Sequence, residues 1–214
     1  MVELYLVRHG NAKKLEGESY VTAPLTALGR QQADLTGAYL RAAGIGFDGY
    51  YASPLRRARE TADLIGAHIG QTAQVRDGLQ EMEYREIPAT VAVELFARTG
   101  WLDGYYEKRA GQALWHPLLG RVSRALVEIL RVHPQGRVAV VAHGGVISGV
   151  LAWYFPQERE RWWHTTVGNC SITRLEIEAT RARLVAVDEL DHLGALREMA
   201  HARNYSFSSR SEGV

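Results

Sequence analysis

Leu4-Tyr5-Leu6-Val7-Arg8-His9-Gly10 is a short apolar run that stops abruptly on two basic residues and a glycine. A second stretch, Val138-Ala139-Val140-Val141-Ala142-His143-Gly144-Gly145, stops in the same way on His143. Runs this short, β-branched or aromatic in part and closed by glycine, read as buried strands rather than helices. In open α/β sheets, ligands sit in the crevice beyond the carboxyl ends of the strands. Two strands that both end in His-Gly therefore deliver two imidazoles to one crevice, with Arg8 beside the first. Such a site suits attack on an anionic group.

Outward from these strands the pattern alternates. Asn11 to Ala23 is polar and aperiodic, an open loop. Pro24-Leu25-Thr26 introduces a helix whose apolar face is expected at Leu28, Leu35 and Tyr39 and whose end is Gly44. Phe47 to Ala52 reads as a strand. Ser53-Pro54 is expected to cap the next helix, where Leu55, Ala58, Ala62, Ile65 and Ile69 form a buried stripe. A short strand near Ala73 to Val75 leads to Leu79-Gln80-Glu81. Residues from about 83 to 118 are mixed, aromatic and poorly periodic, after which Leu119, Val122, Leu126 and Ile129 restore a helix. A helix from about Val146 to Tyr154 follows the His143 strand. Ser171 to Ile177 and Leu184 to Val187 read as a closing pair of edge strands. The order predicts one domain over residues 1–214, a three-layer α/β/α sandwich on a mostly parallel sheet, with a helical insertion at about 83–118 over the active site.

Composition narrows the partners. With 46% hydrophobic and 23% charged residues, the 214-residue chain is an ordinary globular sequence, long enough for a proper core. A net charge of +1 gives no ground for a nucleic-acid partner or a membrane surface. The single cysteine, Cys170, excludes an internal disulfide and reads as a small buried side chain in a reducing compartment. No apolar stretch approaches the roughly 18–20 residues of a membrane span. The first residues lack the pattern of a secretion leader, so a cytoplasmic location is expected. The Trp162-Trp163 pair reads as packing.

The first turn of the Ser53-Pro54 helix carries Arg56, Arg57 and Arg59, and cations there oppose the helix macrodipole. Glu60, four residues on, can offset Arg56; the corresponding residue for Arg57 is Thr61. A basic turn of this kind is ordinarily just solvated. An anion bound at the helix end would reverse the sign, and guanidinium forks match phosphate oxygens. Either histidine alone is more often a structural hydrogen-bond partner than a catalyst. A metal centre is disfavoured, because Arg8 would repel a cation beside His9 and no HExxH or Asp/His cluster is present.

Taken together, the motifs resemble the histidine phosphatase superfamily, the phosphoglycerate-mutase-like enzymes. The resemblance extends from Val7 to about Leu193. It rests on Arg8-His9-Gly10, then Pro24-Leu25-Thr26-x-x-Gly29-x-x-Gln32-Ala33, then Ser53-Pro54-Leu55-x-Arg57-Ala58-x-x-Thr61-Ala62. Leu79-x-Glu81, Ala142-His143-Gly144-Gly145 and Asn169-x-Ser171 follow in the family's order. The resemblance implies that His9 is the nucleophile, transiently phosphorylated on a ring nitrogen. It implies that Arg8, Arg57 and His143 hold the phosphoryl oxygens, that Asn11 adds a polar contact, and that Glu81 protonates the leaving oxygen. No metal and no cofactor is called for.

The chain departs from the family pattern after Glu81, where many members have Gly and then Trp-Glu-Gly. Here the run is Met82-Glu83-Tyr84-Arg85-Glu86, which makes Glu83 a rival for the acid role. Gly111-Gln112-Ala113 stands where a Gly-Glu-Ser helix start is common. The expected activity is metal-independent hydrolysis of a small-molecule phosphomonoester. The alternative is a phosphoglycerate-type mutase, which would carry Arg after the acid and a Pro-rich run in the insertion; this chain has Met82 and no such run between Pro88 and Pro117. A non-catalytic phosphate-binding module would have lost His9 or the acid. An exposed edge strand could support a homodimer.

Overall fold

The computed structural model describes residues 1–13, 22–81, 108–179 and 181–201; the description does not extend to the side chains of 108–117, 160, 163 and 164. In chain order the principal elements are β1 (Val2–Arg8), α1 (Ala27–Ala42), β2 (Gly49–Ala52), α2 (Arg56–Ile69), β3 (Gln74–Val75) and a 3-10 turn (Asp77–Leu79). They continue with α3 (Lys108–Val132), β4 (Gly136–Ala142), α4 (Gly144–Tyr154), α5 (Arg159–His164), β5 (Ile172–Glu178), β6 (Arg181–Glu189) and a 3-10 segment (Asp191–Met199).

Among the described residues the strands form one six-stranded sheet in the order β3-β2-β4-β1-β5-β6. β1, β2, β3 and β4 run parallel; β5 runs against β1, and β6 pairs antiparallel with β5. β5 is therefore an interior strand paired with β1, and of the expected closing pair only β6 is an edge. Register decides the site. Arg8 lies opposite Ala142 on adjacent parallel strands, so His9 and His143 leave the sheet side by side.

Both faces of the central strands are covered, which is why they read as near-continuous apolar runs. Alternation divides them between two cores. Leu4, Leu6, Tyr51, Val138 and Val140 pack with α3 and α4, while Tyr5, Val7, Tyr50, Ala139 and Val141 pack with Leu40 of α1 and Ala62 and Ile65 of α2. Trp162 is buried in the first core, as its packing reading requires.

Two helices differ from the expected pattern. α1 buries Gly29, Gln32, Ala33, Thr36, Gly37 and Leu40, and leaves Tyr39 exposed. Its inner face is made of small and polar residues because it lies close on α2, where Gly37 abuts the His68 ring, and on the segment after β1, where Gly29 abuts the Asn11 main chain and Gln32 accepts from Asn11 N–H. α3 starts at Lys108, so the last part of the expected insertion is a continuous helix with the 119–132 stretch. Its buried stripe is Leu118, Val122, Ala125, Leu126 and Ile129, with Leu119 only partly covered. The remainder of the insertion, including Glu83, Arg98, Trp101, Tyr105 and Tyr106, lies outside the described residues, as do the side chains of Lys108, Arg109 and Trp115. Among the described residues, no helix is long and apolar enough to cross a membrane.

Candidate active site

The end of β1 is fixed from every side. His9 N–H donates to Ala142 O at 2.9 Å, and Asn169 Nδ2 donates to His9 O at 3.0 Å. Gly10 N–H donates to Thr61 Oγ1 at 3.0 Å, and Thr61 in turn donates to Arg57 O at 2.7 Å. A Cβ on Gly10 would collide with the main chain of Gly29 at the start of α1, so only glycine allows this approach. Thr26 caps α1 by accepting from Gly29 N–H, and also donates to Asn11 Oδ1 at 2.8 Å. Asn11 is thereby held at the same rim, its side-chain oxygen serving as an acceptor.

His9 is buried. Its Nδ1 lies 2.7 Å from Gly10 O, and a carbonyl can only accept, so Nδ1 carries the proton. Nε2 therefore presents its lone pair, which accepts from Arg57 Nε at 3.1 Å. Burial, then the Arg57 and Arg8 charges, hold the imidazole well below its usual pKa, and the Gly10 contact opposes this. These effects favour the neutral ring at neutral pH.

Arg57 is itself 1% exposed, one of the largest buried side chains. A solvated basic turn is thus excluded for this arginine, whereas Arg56 is exposed and pairs with Glu60 at 2.7 Å. Arg8 Nη1 donates to Val167 O, while its Nε is buried with no hydrogen-bond partner among the described residues. An anion would supply that partner.

His143, fully buried, is the N-cap residue of α4, and its ring centroid is 5.2 Å from that of His9. Its Nε2 lies 2.7 Å from Ser53 Oγ, and its buried Nδ1 has no partner among the described residues. Burial, then Arg57, His9, Arg8 and Arg121, keep this imidazole well below its usual pKa as well. Ser53 was expected as the α2 cap. The cap residue is Leu55, without a side-chain bond, and Ser53 turns to His143 instead.

Glu81 reaches the same end of the sheet from the turn after β3. Its Oε2 accepts from Gly145 N–H at 3.1 Å, in the first turn of α4. A side chain on Gly145 would occupy the place of this carboxylate. The structure thus gathers Arg8, His9, Arg57, His143 and Glu81 around one crevice, with Asn11 at its rim. Glu83, the rival acid, lies outside the described residues. Cys170 is buried and its thiol is pushed up to about 12 by burial, so it is no nucleophile.

Ser53, Thr61, Asn169 and Arg121 are supporting residues to which the sequence reading assigned no such part. For Arg121 there was a usable signal, since it stands between Leu118 and Ala125 on the apolar stripe of α3. A charged residue there needs buried polar partners.

A family model, histidine phosphatase superfamily (branch 1), matches residues 4–189. A protein of Salmonella paratyphi B named "probable phosphoglycerate mutase" is 30% identical over 199 residues, with 85% of this chain and 87% of that protein covered. Among solved structures, mycobacterial glucosyl-3-phosphoglycerate phosphatase in complex with VO3 is 25% identical, with a TM-score of 0.69 over 88% of this chain and 99% of that one. Phosphoserine phosphatase of Entamoeba histolytica, 20% identical, shares the fold with a TM-score of 0.68, over 90% of this chain and 100% of that one.

Proposed function

The chain belongs to the histidine phosphatase superfamily, and from that membership we propose that it hydrolyses phosphomonoesters without a metal ion, through a phosphohistidine at His9. The observation that carries this reading is the tautomer of His9. With Nδ1 committed to Gly10 O, the proton-free Nε2 faces the Arg57 guanidinium.

A bound phosphoryl group would take over the Arg57 donor, and the buried Nε of Arg8 would meet a second oxygen. His143, neutral, would donate to a third through a protonated Nδ1. These donors aim at charge on the equatorial oxygens, where preorganised groups lower the barrier most. Nε2 of His9 forms a bond to phosphorus as the bond to the leaving oxygen breaks, and Glu81 gives that oxygen its proton. Water then attacks the phosphohistidine, returns a proton to Glu81 and releases inorganic phosphate and free His9. The site residues hold only the phosphate, so recognition of the remaining substrate falls to the 83–118 segment with its aromatic and basic residues.

A mutase is the second reading, favoured by the name of the Salmonella relative. It uses the same first step and returns the phosphoryl group to the substrate. The absence of Arg after Glu81 favours the hydrolase. Purified protein in excess chelator should turn over nitrophenyl phosphate with stoichiometric release of inorganic phosphate, and vanadate should inhibit it. Activity lost to chelator and restored by a divalent ion would overturn the reading. Isomerised phosphoglycerate formed faster than any free phosphate would establish the mutase.

A further inference from the structure

The turn Asp77–Leu79 and the residues that follow bring Glu81 to the crevice without a strand ladder to satisfy their carbonyls. Arg121 of α3 supplies the donors. Its Nη1 donates to Gly78 O at 3.2 Å and to Gln80 O at 2.8 Å, and its Nη2 to Glu81 O at 3.4 Å. The turn sits so close on α3 that a Cβ on Gly78 would collide with Ala125, one helical turn past Arg121. Glu81 is therefore gripped twice, by its main chain from α3 and by its carboxylate from Gly145 of α4.

Resting on the reading of Glu81 as the acid, we infer that Arg121 is a positioning residue that sets the Glu81 carboxyl against the leaving oxygen. A guanidinium is a planar fork of fixed donors, so three carbonyls bound to it cannot turn independently. In an extended segment a change in carbonyl direction swings the adjacent side chain with it. Displacement of a catalytic group by about 1 Å can cost about 10²-fold. Arg121 grips carbonyls of the segment that carries the acid, so its loss acts on protonation of the leaving group and spares phosphoryl binding by Arg8 and Arg57.

Arg121→Gln and Arg121→Lys should be compared with wild type on an alkyl phosphate, which needs the acid, and on nitrophenyl phosphate, which departs unaided. Arg121→Gln should lose about 10²-fold in kcat/KM on the alkyl ester and less than about threefold on the aryl ester, within the general-acid range. Arg121→Lys, which keeps the charge without the fork, should recover only part of the alkyl activity. Equal loss on both esters, no loss on the alkyl ester, or a raised KM for nitrophenyl phosphate would overturn the inference. If Arg121→Gln does not fold, Arg121→Lys decides alone by the same contrast. Failure of the underlying reading looks different: Glu81→Gln would then show no alkyl-selective loss, whatever the Arg121 variants do.

Discussion

The ends of β1 and β4 carry nearly the same sequence and do different work. Each is an apolar strand stopped by His-Gly, and the two lie side by side in register. At β1 the imidazole is tied through Nδ1 to the next carbonyl and offers Nε2 to an arginine. At β4 it is tied through Nε2 to a serine from β2's end, and Nδ1 is the atom without a partner among the described residues. Strand and terminator bring a histidine to the same end of the sheet, but the neighbour on each ring decides which nitrogen carries the proton. The first ring is thereby suited to attack and the second to donate.

That contrast breaks most visibly if Arg57 is removed, because Arg57 addresses the β1 ring directly and the β4 ring only through its charge. Arg57→Ala should lower kcat/KM by about 10²–10³-fold, the scale for one donor to transition-state charge. Some stability should be lost as well, because the buried side chain leaves a cavity and takes away the donor to His9 Nε2. Relief of a cation at the positive end of α2 returns only about 0.3–1 kcal/mol of this. A variant that melts much earlier and keeps its turnover would make the arginine structural.

A smaller effect tests what the two rings share. Both are buried and neutral, with pKa values well below the ordinary imidazole value of about 6.5. Below that pH the unfolded chain binds protons that the folded chain refuses, so stability is full above it and falls as pH drops. Each histidine contributes a slope of at most about 1.4 kcal/mol per pH unit until its folded pKa is reached. Denaturant midpoints between pH 7 and 5 should fall in wild type and fall less steeply in His143→Ala. Identical slopes would mean that His143 takes up its proton alike in the folded and unfolded protein, contrary to a lowered pKa.

The residues legible in the sequence were those whose position follows from one element. His9 and His143 end buried strands, and Arg57 opens a helix after a third, so their meeting follows from topology. The face of α1 is hidden from periodicity of large residues, because Gly29 abuts the Asn11 main chain, Gln32 accepts from Asn11 N–H and Gly37 abuts His68 of α2, so leucine is excluded there. Ser53 matched a cap, yet its hydroxyl is bound by a histidine 90 positions away. Arg121 grips a turn some 40 residues upstream; its place on the α3 stripe signals a need for polar partners but not which ones. What sequence pattern could not supply was second partners, the groups that orient a site residue from a distant element.

The asymmetry of the two histidines is tested most directly by trapping the phosphoryl group. Wild type and His143→Ala, quenched rapidly after mixing with labelled substrate, should both yield an acid-labile, base-stable phosphoprotein, the second more slowly. His9→Ala should yield none while remaining folded. Label retained in His9→Ala, or found on His143 in the wild-type protein, would contradict the assignment of the nucleophile to the end of β1.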